Sequence, residues 1–280
     1  MKIYLISAFL ILVTTACKSQ RESTSNPNGY DLKMPEKFSL PESLLEVSGI
    51  AFRDVNHDTI FAVQDEDGSL FKLGWKDSKQ QNISFAPSGD YEDLAIMGNQ
   101  VFILKSNGNI YSFSLANATG RSASNVKEVK KLLPPGEYEG MFYDSLTNNL
   151  IVLCKECKAD KKSKSLTGYT LKQEAGMLTR SGQFNIDYQS KAGDKTIKGM
   201  LKPSALARHP LTKQWYIISS VNKILLITDD EWVIQETHPL RSKNFNQPEG
   251  IAFDKRGNLY ISNEGDEITA GNILKFTYLP

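Results

Sequence analysis

The sequence predicts an all-β chain: a five-bladed β-propeller of four-stranded antiparallel blades, its ring closed by a strand from the N-terminal side. Three observations predict it. One short motif recurs along the chain at a spacing of about 45 residues, the length of a propeller blade. Each copy is followed by further short runs rich in β-branched and aromatic residues and bounded by Gly, Asn and Asp. No segment carries a sustained helical period.

The motif pairs an acidic or hydroxyl residue with a small residue and an apolar stretch. It reads Ser48-Gly49-Ile50-Ala51-Phe52, Glu92-Asp93-Leu94-Ala95-Ile96, Glu139-Gly140-Met141-Phe142-Tyr143, Ser204-Ala205-Leu206-Ala207 and Glu249-Gly250-Ile251-Ala252-Phe253. The intervals between first positions are 44, 47, 65 and 45 residues. A second run follows each copy, as at Thr59–Val63, Gln100–Leu104, Leu150–Leu153, Gln214–Ile218 and Asn258–Ser262. A third run follows at Ser69–Leu73, Asn109–Phe113, Gly168–Leu171, Lys223–Ile227 and Asn272–Phe276. A fourth is visible at Ile83–Phe85, Val126–Leu132 and Trp232–His238. Four antiparallel strands per repeat describe a propeller blade. An irregular β-sandwich has no reason to repeat one motif at this spacing.

The long third interval is too short to hide a sixth blade. Its excess is expected in loops of blade three, at Cys157–Ser165 or Ser190–Lys198. After Glu249 only 31 residues remain, enough for three strands. The missing outer strand is expected around Glu36–Leu40, which would pair the chain ends and remove an exposed edge.

The N-terminal end reads as an address. Lys2 precedes a largely apolar run, Ile3–Val13, too short to cross a bilayer, which needs about 20 apolar residues. Thr14-Thr15-Ala16-Cys17 follows, giving the anatomy of an export signal over residues 1–16. A Cys directly after small residues resembles the lipobox of bacterial lipoproteins, with Thr14 where Leu is usual. The resemblance implies lipidation of Cys17, a cell-envelope location and a membrane anchor; Lys18 after the Cys resembles lipoproteins of the outer membrane. Residues 17–35 are expected to form a tether, because Lys18–Gly29 offers no large apolar side chain to bury. The propeller is assigned to residues 36–280.

Composition excludes other classes. The 280 residues carry 33 Lys plus Arg against 32 Asp plus Glu, a net charge of +1, without the basic excess of a nucleic-acid coat. Three Cys are too few for a disulfide scaffold, and three His too few for a His-rich metal protein.

The repeated motifs, especially Val47–Ile50, Tyr138–Met141 and Gln247–Ala252, resemble the SdiA-regulated family of bacterial envelope proteins over roughly residues 36–280. The resemblance implies a five-bladed propeller with a bound calcium ion and no established catalytic activity. It also implies distant similarity to the NHL, strictosidine synthase and calcium-dependent lactonase propellers.

The first motif position falls on the strand that lines the central channel, so Ser48, Glu92, Glu139, Ser204 and Glu249 are expected near the axis. Glu46 shares a strand face with Ser48. Carboxylates gathered in a channel repel, and a cation relieves them. Calcium suits such a set because it takes six to eight oxygen ligands in loose geometry. Asp65-Glu66, Asn107, Glu156 and Asn263-Glu264 end the second strands, and Glu156 and Glu264 best match the family's acidic positions. The expected metal set is therefore Glu46, Glu92, Glu139, Glu156, Glu249 and Glu264. A second reading stands beside it: the acids accept hydrogen bonds from backbone amides and channel water, with no ion.

Cys154 and Cys157 form a CxxC, read either as a local disulfide or as free thiols. His57, His209 and His238 lie in turn-like contexts and are read as surface residues, and Lys158–Lys164 as a solvated loop. Two functional classes follow. The first is a monomeric, envelope-tethered calcium propeller presenting a face to a protein or glycan partner, without nucleic acid. The second is a calcium-dependent hydrolase of lactones or esters, which lacks an obvious His base beside Asn107 or Asn263.

Overall fold

A computed structural model describes residues 26–53, 56–77, 79–163, 165–189, 197, 199–240 and 243–280. The expected export signal, Cys17 and the start of the tether lie outside these residues. So do all but residue 197 of the expected loop at Ser190–Lys198 and the side chain of His57.

Five sheets form, each begun by one copy of the motif. Blade one holds Val47–Arg53, Asn56–Gln64, Ser69–Gly74 and Gln80–Ser84. Blade two holds Tyr91–Met97, Gln100–Lys105, Ile110–Ser114 and Lys127–Val129. Blade three holds Gly136–Asp144, Asn149–Cys157, Ser165–Glu174 and Met177–Asp187. Blade four holds Ala205–Arg208, Trp215–Ser219, Ile224–Thr228 and Ile234–Pro239. Blade five holds Pro248–Phe253, Leu259–Asn263 and Asn272–Phe276, and Glu36–Ser39 completes it by antiparallel pairing with Asn272–Phe276. The closure expected from the sequence is thus present. Two short strands, Ala118–Thr119 and Ser122–Ala123, extend the outer edge of blade one.

The first strand of every blade packs on the first strands of its two neighbours, which makes them the inner ring. Five apolar clusters fill the gaps between successive blades. A second strand serves two of them at once. Ile60 and Ala62 face the blade five side, while Phe61 and Val63 face blade two. Burial on both faces is why these strands read as continuous apolar runs rather than as alternating ones.

The small second residue of the motif reflects crowding where inner strands meet. A Cβ on Gly250 would lie 2.5 Å from the Ser48 carbonyl oxygen, and one on Gly49 would lie 2.6 Å from the Asp93 Cα. Blade two puts Asp93 at this place. Its carboxylate is buried and accepts hydrogen bonds from Leu94 N (2.8 Å) and, across the gap, from Met141 N of blade three (2.7 Å).

The strands of blade three run nine to eleven residues, and the expected loop at Cys157–Ser165 carries one helical turn, Asp160–Ser163; the other expected loop falls almost wholly outside the described residues. One expectation is corrected. The described end of the expected tether is packed, not free. Tyr30 and Leu32 are buried in the cluster between blades four and five, and the Tyr30 hydroxyl donates to the Gly257 carbonyl at 2.5 Å. A buried aromatic with a partnered hydroxyl outweighs the polar composition around it.

Candidate functional site

The channel is ordered by motif position. The first position forms an acidic and hydroxyl ring near one end. The third supplies Ile50, Leu94, Met141, Leu206 and Ile251, all buried apolar residues. The inner strands then run to the opposite end.

The acids are aimed by a recurring irregularity. Register shifts in the pairing of first and second strands fall at Val47/Ile50, Tyr91/Asp93, Tyr138/Gly140 and Pro248/Gly250. Glu92, Glu139 and Glu249 are the unpaired extra residues. A bulge re-aims a side chain that regular pairing would fix. Blade four pairs from Ala205 without a bulge, and Ser204 Oγ there accepts from Ser220 N at 3.2 Å.

Glu92, Glu249 and Glu264 belong to one electrostatic cluster with Glu46, Asp65 and Asp90. Burial, then Asp90, pushes the Glu92 carboxyl up to about 9. Burial, then the charges of Glu249, Asp65 and Glu46, pushes Glu264 up to about 8. Burial and the charges of Glu46 and Glu66 raise Asp65 to about 6. Glu249 is raised by burial, partly offset by hydrogen bonds from Ser204 and Ser220. Two lysines temper the cluster: Lys155, felt by Glu92 and Glu249, and Lys223, felt by Glu249.

The other expected ligands behave differently. Glu139 is buried and ion-paired to Lys155, which also lies 3.6 Å from Glu137. Glu156 is partly exposed and paired to Lys202 and Lys161, so its carboxyl sits below the usual range and outside the cluster. Asn107 is exposed and its side chain caps its own turn through Asn109 N.

Two atoms identify the emptiest coordination. The Oδ1 atoms of Asp65 and Asn263 are buried and have no hydrogen-bond partner. Asn263 is fully buried, precedes Glu264, and uses its Nδ2 on Asn272 Oδ1 at 3.2 Å. Gly265 N donates to Leu45 O at 2.7 Å, which brings the Asn263–Glu264 strand end beside Glu46. An acceptor-rich corner between blades five and one results, where Glu264 draws one donor from the Gln247 side chain. Its donor set, carboxylate and amide oxygen, fits calcium. The sequence pattern points to Asp65 and Asn263 as suppliers but ranks Glu139 and Glu156 ahead of them. Only their missing partners single them out.

Among the described residues, the one set of three His, Cys, Asp or Glu ligand atoms within 4.8 Å of one another is Cys154, Cys157 and Asp160. Cys154 and Cys157 are joined by a disulfide, and Asp160 accepts from Thr167, so that set is occupied. Neither Glu92, Glu139 and Glu249 nor Glu46, Asp65 and Glu264 therefore close into a tight three-carboxylate cage.

The described histidines are corrected from surface to interior. His209 is fully buried, accepts from Leu211 N and Thr212 N on Nδ1, and is lowered to about 4 by burial and Lys213. His238 is buried and paired with Glu236 at 2.8 Å. Both lie on blade four, His209 at the turn after the inner strand and His238 on the outer strand.

A closed five-bladed ring with an acid-lined axis places this protein among the β-propellers. The model of the SdiA-regulated family matches residues 23–267, and the chain belongs to that family. No curated protein matches the sequence. Among solved structures, the fold is similar to glutaminyl cyclase of Myxococcus xanthus (TM-score 0.56, 12% identity, 88% of this chain and 96% of that one). It is likewise similar to the PQQ-bound aldose sugar dehydrogenase of Streptomyces coelicolor (TM-score 0.56, 11% identity, 87% and 98%). A streptogramin B lyase is a third neighbour (TM-score 0.50, 13% identity, 87% and 98%). Identities this low speak to the fold alone.

Proposed function

We propose that the protein is a calcium-binding propeller, held at the outer membrane of the cell envelope by a lipid on Cys17 and working as a binding module for a protein or glycan partner. The observation that carries the calcium reading is the acceptor-rich corner at the blade five–blade one junction. Glu46, Asp65 and Glu264 gather their carboxyl groups there, Glu264 being held protonated up to about 8, and Asp65 Oδ1 and Asn263 Oδ1 have no donor. A divalent cation would satisfy both oxygens and relieve the repulsion that raises Glu264 and Asp65. Glu92, held protonated up to about 9, and Glu249 lie toward the axis, where Lys155 and Lys223 temper them.

Orientation favours a partner at this end. The described chain begins at the opposite end, where Tyr30 docks on the turn after the inner strand of blade five. That docking leaves the acidic end uncovered by residues 26–35. The hydrolase reading gains no support from the histidines, since neither His209 nor His238 stands among the acids.

Thermal melting tests the site. At calcium about 100-fold above Kd, linkage gives about 2.7 kcal/mol, which at this size is a rise of about 5–10 °C over chelator. Glu264→Gln should melt higher than the parent in chelator at pH 8, because a strained carboxylate is gone, and respond less to calcium. Identical melting of the parent with and without calcium would sink the reading.

A further inference from the structure

We propose that the end of the channel opposite the acids is a separate binding site for a small anionic amphiphile: a carboxylate carried on an aliphatic body. A pocket of about 430 Å³ opens there. Its walls are the far halves of the inner strands, and its depth is the apolar third-position ring. The ring separates it from the acidic end, so the two sites differ in chemistry as well as in place.

The walls are unlike those of a polar propeller channel. Phe52, Phe142, Tyr143 and Phe253 line the pocket and remain only partly buried. Side chains of this size are costly to leave wet, at roughly 25 cal/mol per Å² of apolar surface. A pocket of a few hundred Å³ with apolar walls and few polar groups is the usual form of a small-molecule site.

The charge at the rim selects the head group. Three cations line the pocket beside His209, and two carboxylates oppose them. Both carboxylates are used internally. Asp144 accepts from Arg208 (2.9 Å), Thr147 Oγ1 (2.7 Å) and Leu146 N (3.2 Å). Asp254 accepts from Arg256 N, Asn258 N, Asn258 Nδ2 and Tyr260 OH. Arg208 is neutralised by Asp144 and Asp230. Lys213 and Lys255 remain exposed at the rim with no acidic partner among the described residues; the Lys213 ammonium donates to the Pro210 carbonyl, at 2.5 Å. Asp254, held by neutral donors, keeps its charge but is buried in the wall, so the exposed charges that line the pocket are the two lysines. Apolar depth under an exposed cationic rim is complementary to a carboxylate-headed chain. Neutral apolar ligands would gain the walls without the rim.

The wall is also braced. Tyr30 packs against Phe253 and His209, both lining residues, at ring-centroid distances of 6.5 and 6.1 Å. The N-terminal strap therefore reinforces the pocket rather than filling it.

The test is isothermal titration of the protein with decanoate and with decanol, in chelator so that calcium is not involved. Decanoate is expected to saturate one site and to bind at least tenfold tighter than decanol. The surface pair Lys213→Glu with Lys255→Glu should weaken decanoate at least tenfold and leave decanol within twofold. Ala51→Phe, which narrows the pocket, should weaken both; if it fails to fold, the exposed lysine pair alone is decisive. No saturable decanoate binding, unchanged decanoate affinity in the lysine pair, or binding only to anionic vesicles would overturn the proposal. None of these outcomes bears on the calcium response, which is read separately at the other end.

Discussion

At the scale of single residues, similar carboxylates carry different duties because their surroundings differ. Asp93 is a brace: two backbone amides from different blades end on it. Asp93→Ala leaves both N–H groups buried without acceptors, at about 1–3 kcal/mol each, so a loss of about 3 kcal/mol is expected in urea unfolding. Asp93→Asn keeps one acceptor and should lose less; a loss under about 0.5 kcal/mol for the alanine would remove the bracing role. Glu92, Glu264 and Asp65 are strained instead. Their folded values of about 9, 8 and 6 lie above the ordinary 4.5, 4.5 and 3.8. The folded state therefore holds more protons than the unfolded one across that interval, and stability falls as pH rises. In chelator, melting should be highest near pH 4–5 and decline through pH 6 to 9. Calcium should oppose the decline, because binding takes the deprotonated acids. A flat profile in chelator between pH 5 and 9 would contradict the assignment.

At the scale of the element, the inner strands do two jobs with one pattern. A small residue lets neighbouring strands approach, and the bulge just before it turns an acid out of the pairing. The closing strand Glu36–Ser39 is equally specific. It covers the edge of blade five, and its Phe38 is buried against Trp75 at 5.5 Å. Phe38→Ala should cost about 3–5 kcal/mol, as large core truncations do. Deleting everything before Leu40 should cost more and expose an edge prone to association. Light scattering and denaturant unfolding check both, and a deletion that stays monomeric at parental stability would show that the ring closes without this strand. Tyr30→Phe removes one neutral hydrogen bond, to the Gly257 carbonyl, and should cost about 1 kcal/mol.

At the scale of the whole molecule, the ring has two unlike ends. Acids gather where the inner strands begin, apolar and cationic groups where they finish, and the N-terminal strap docks at the second end. Under the lipid anchor proposed at Cys17, that polarity predicts an orientation. A probe on Lys255→Cys should be quenched by labels in the bilayer far more than one on Asp67→Cys, in full-length chain reconstituted with lipid. Equal quenching would refute the orientation.

The blade count, the start of each inner strand and the closure were legible in the order of amino acids, because periodic burial and turn chemistry are local and repeat. The same pattern brought Glu92, Glu249, Glu264 and Glu46 toward one region. Which acids are already spoken for emerged only from the folded chain. Glu139 and Glu156 were indistinguishable from the others by type and position, yet lysines from elsewhere in the fold neutralise them. Asp65 and Asn263 stood out only when their neighbours supplied no donor. The burial of Tyr30, His209 and His238 was hidden for the same reason. Whether a polar side chain is satisfied or an aromatic one is covered depends on what distant strands bring to it, and strand periodicity carries no record of that.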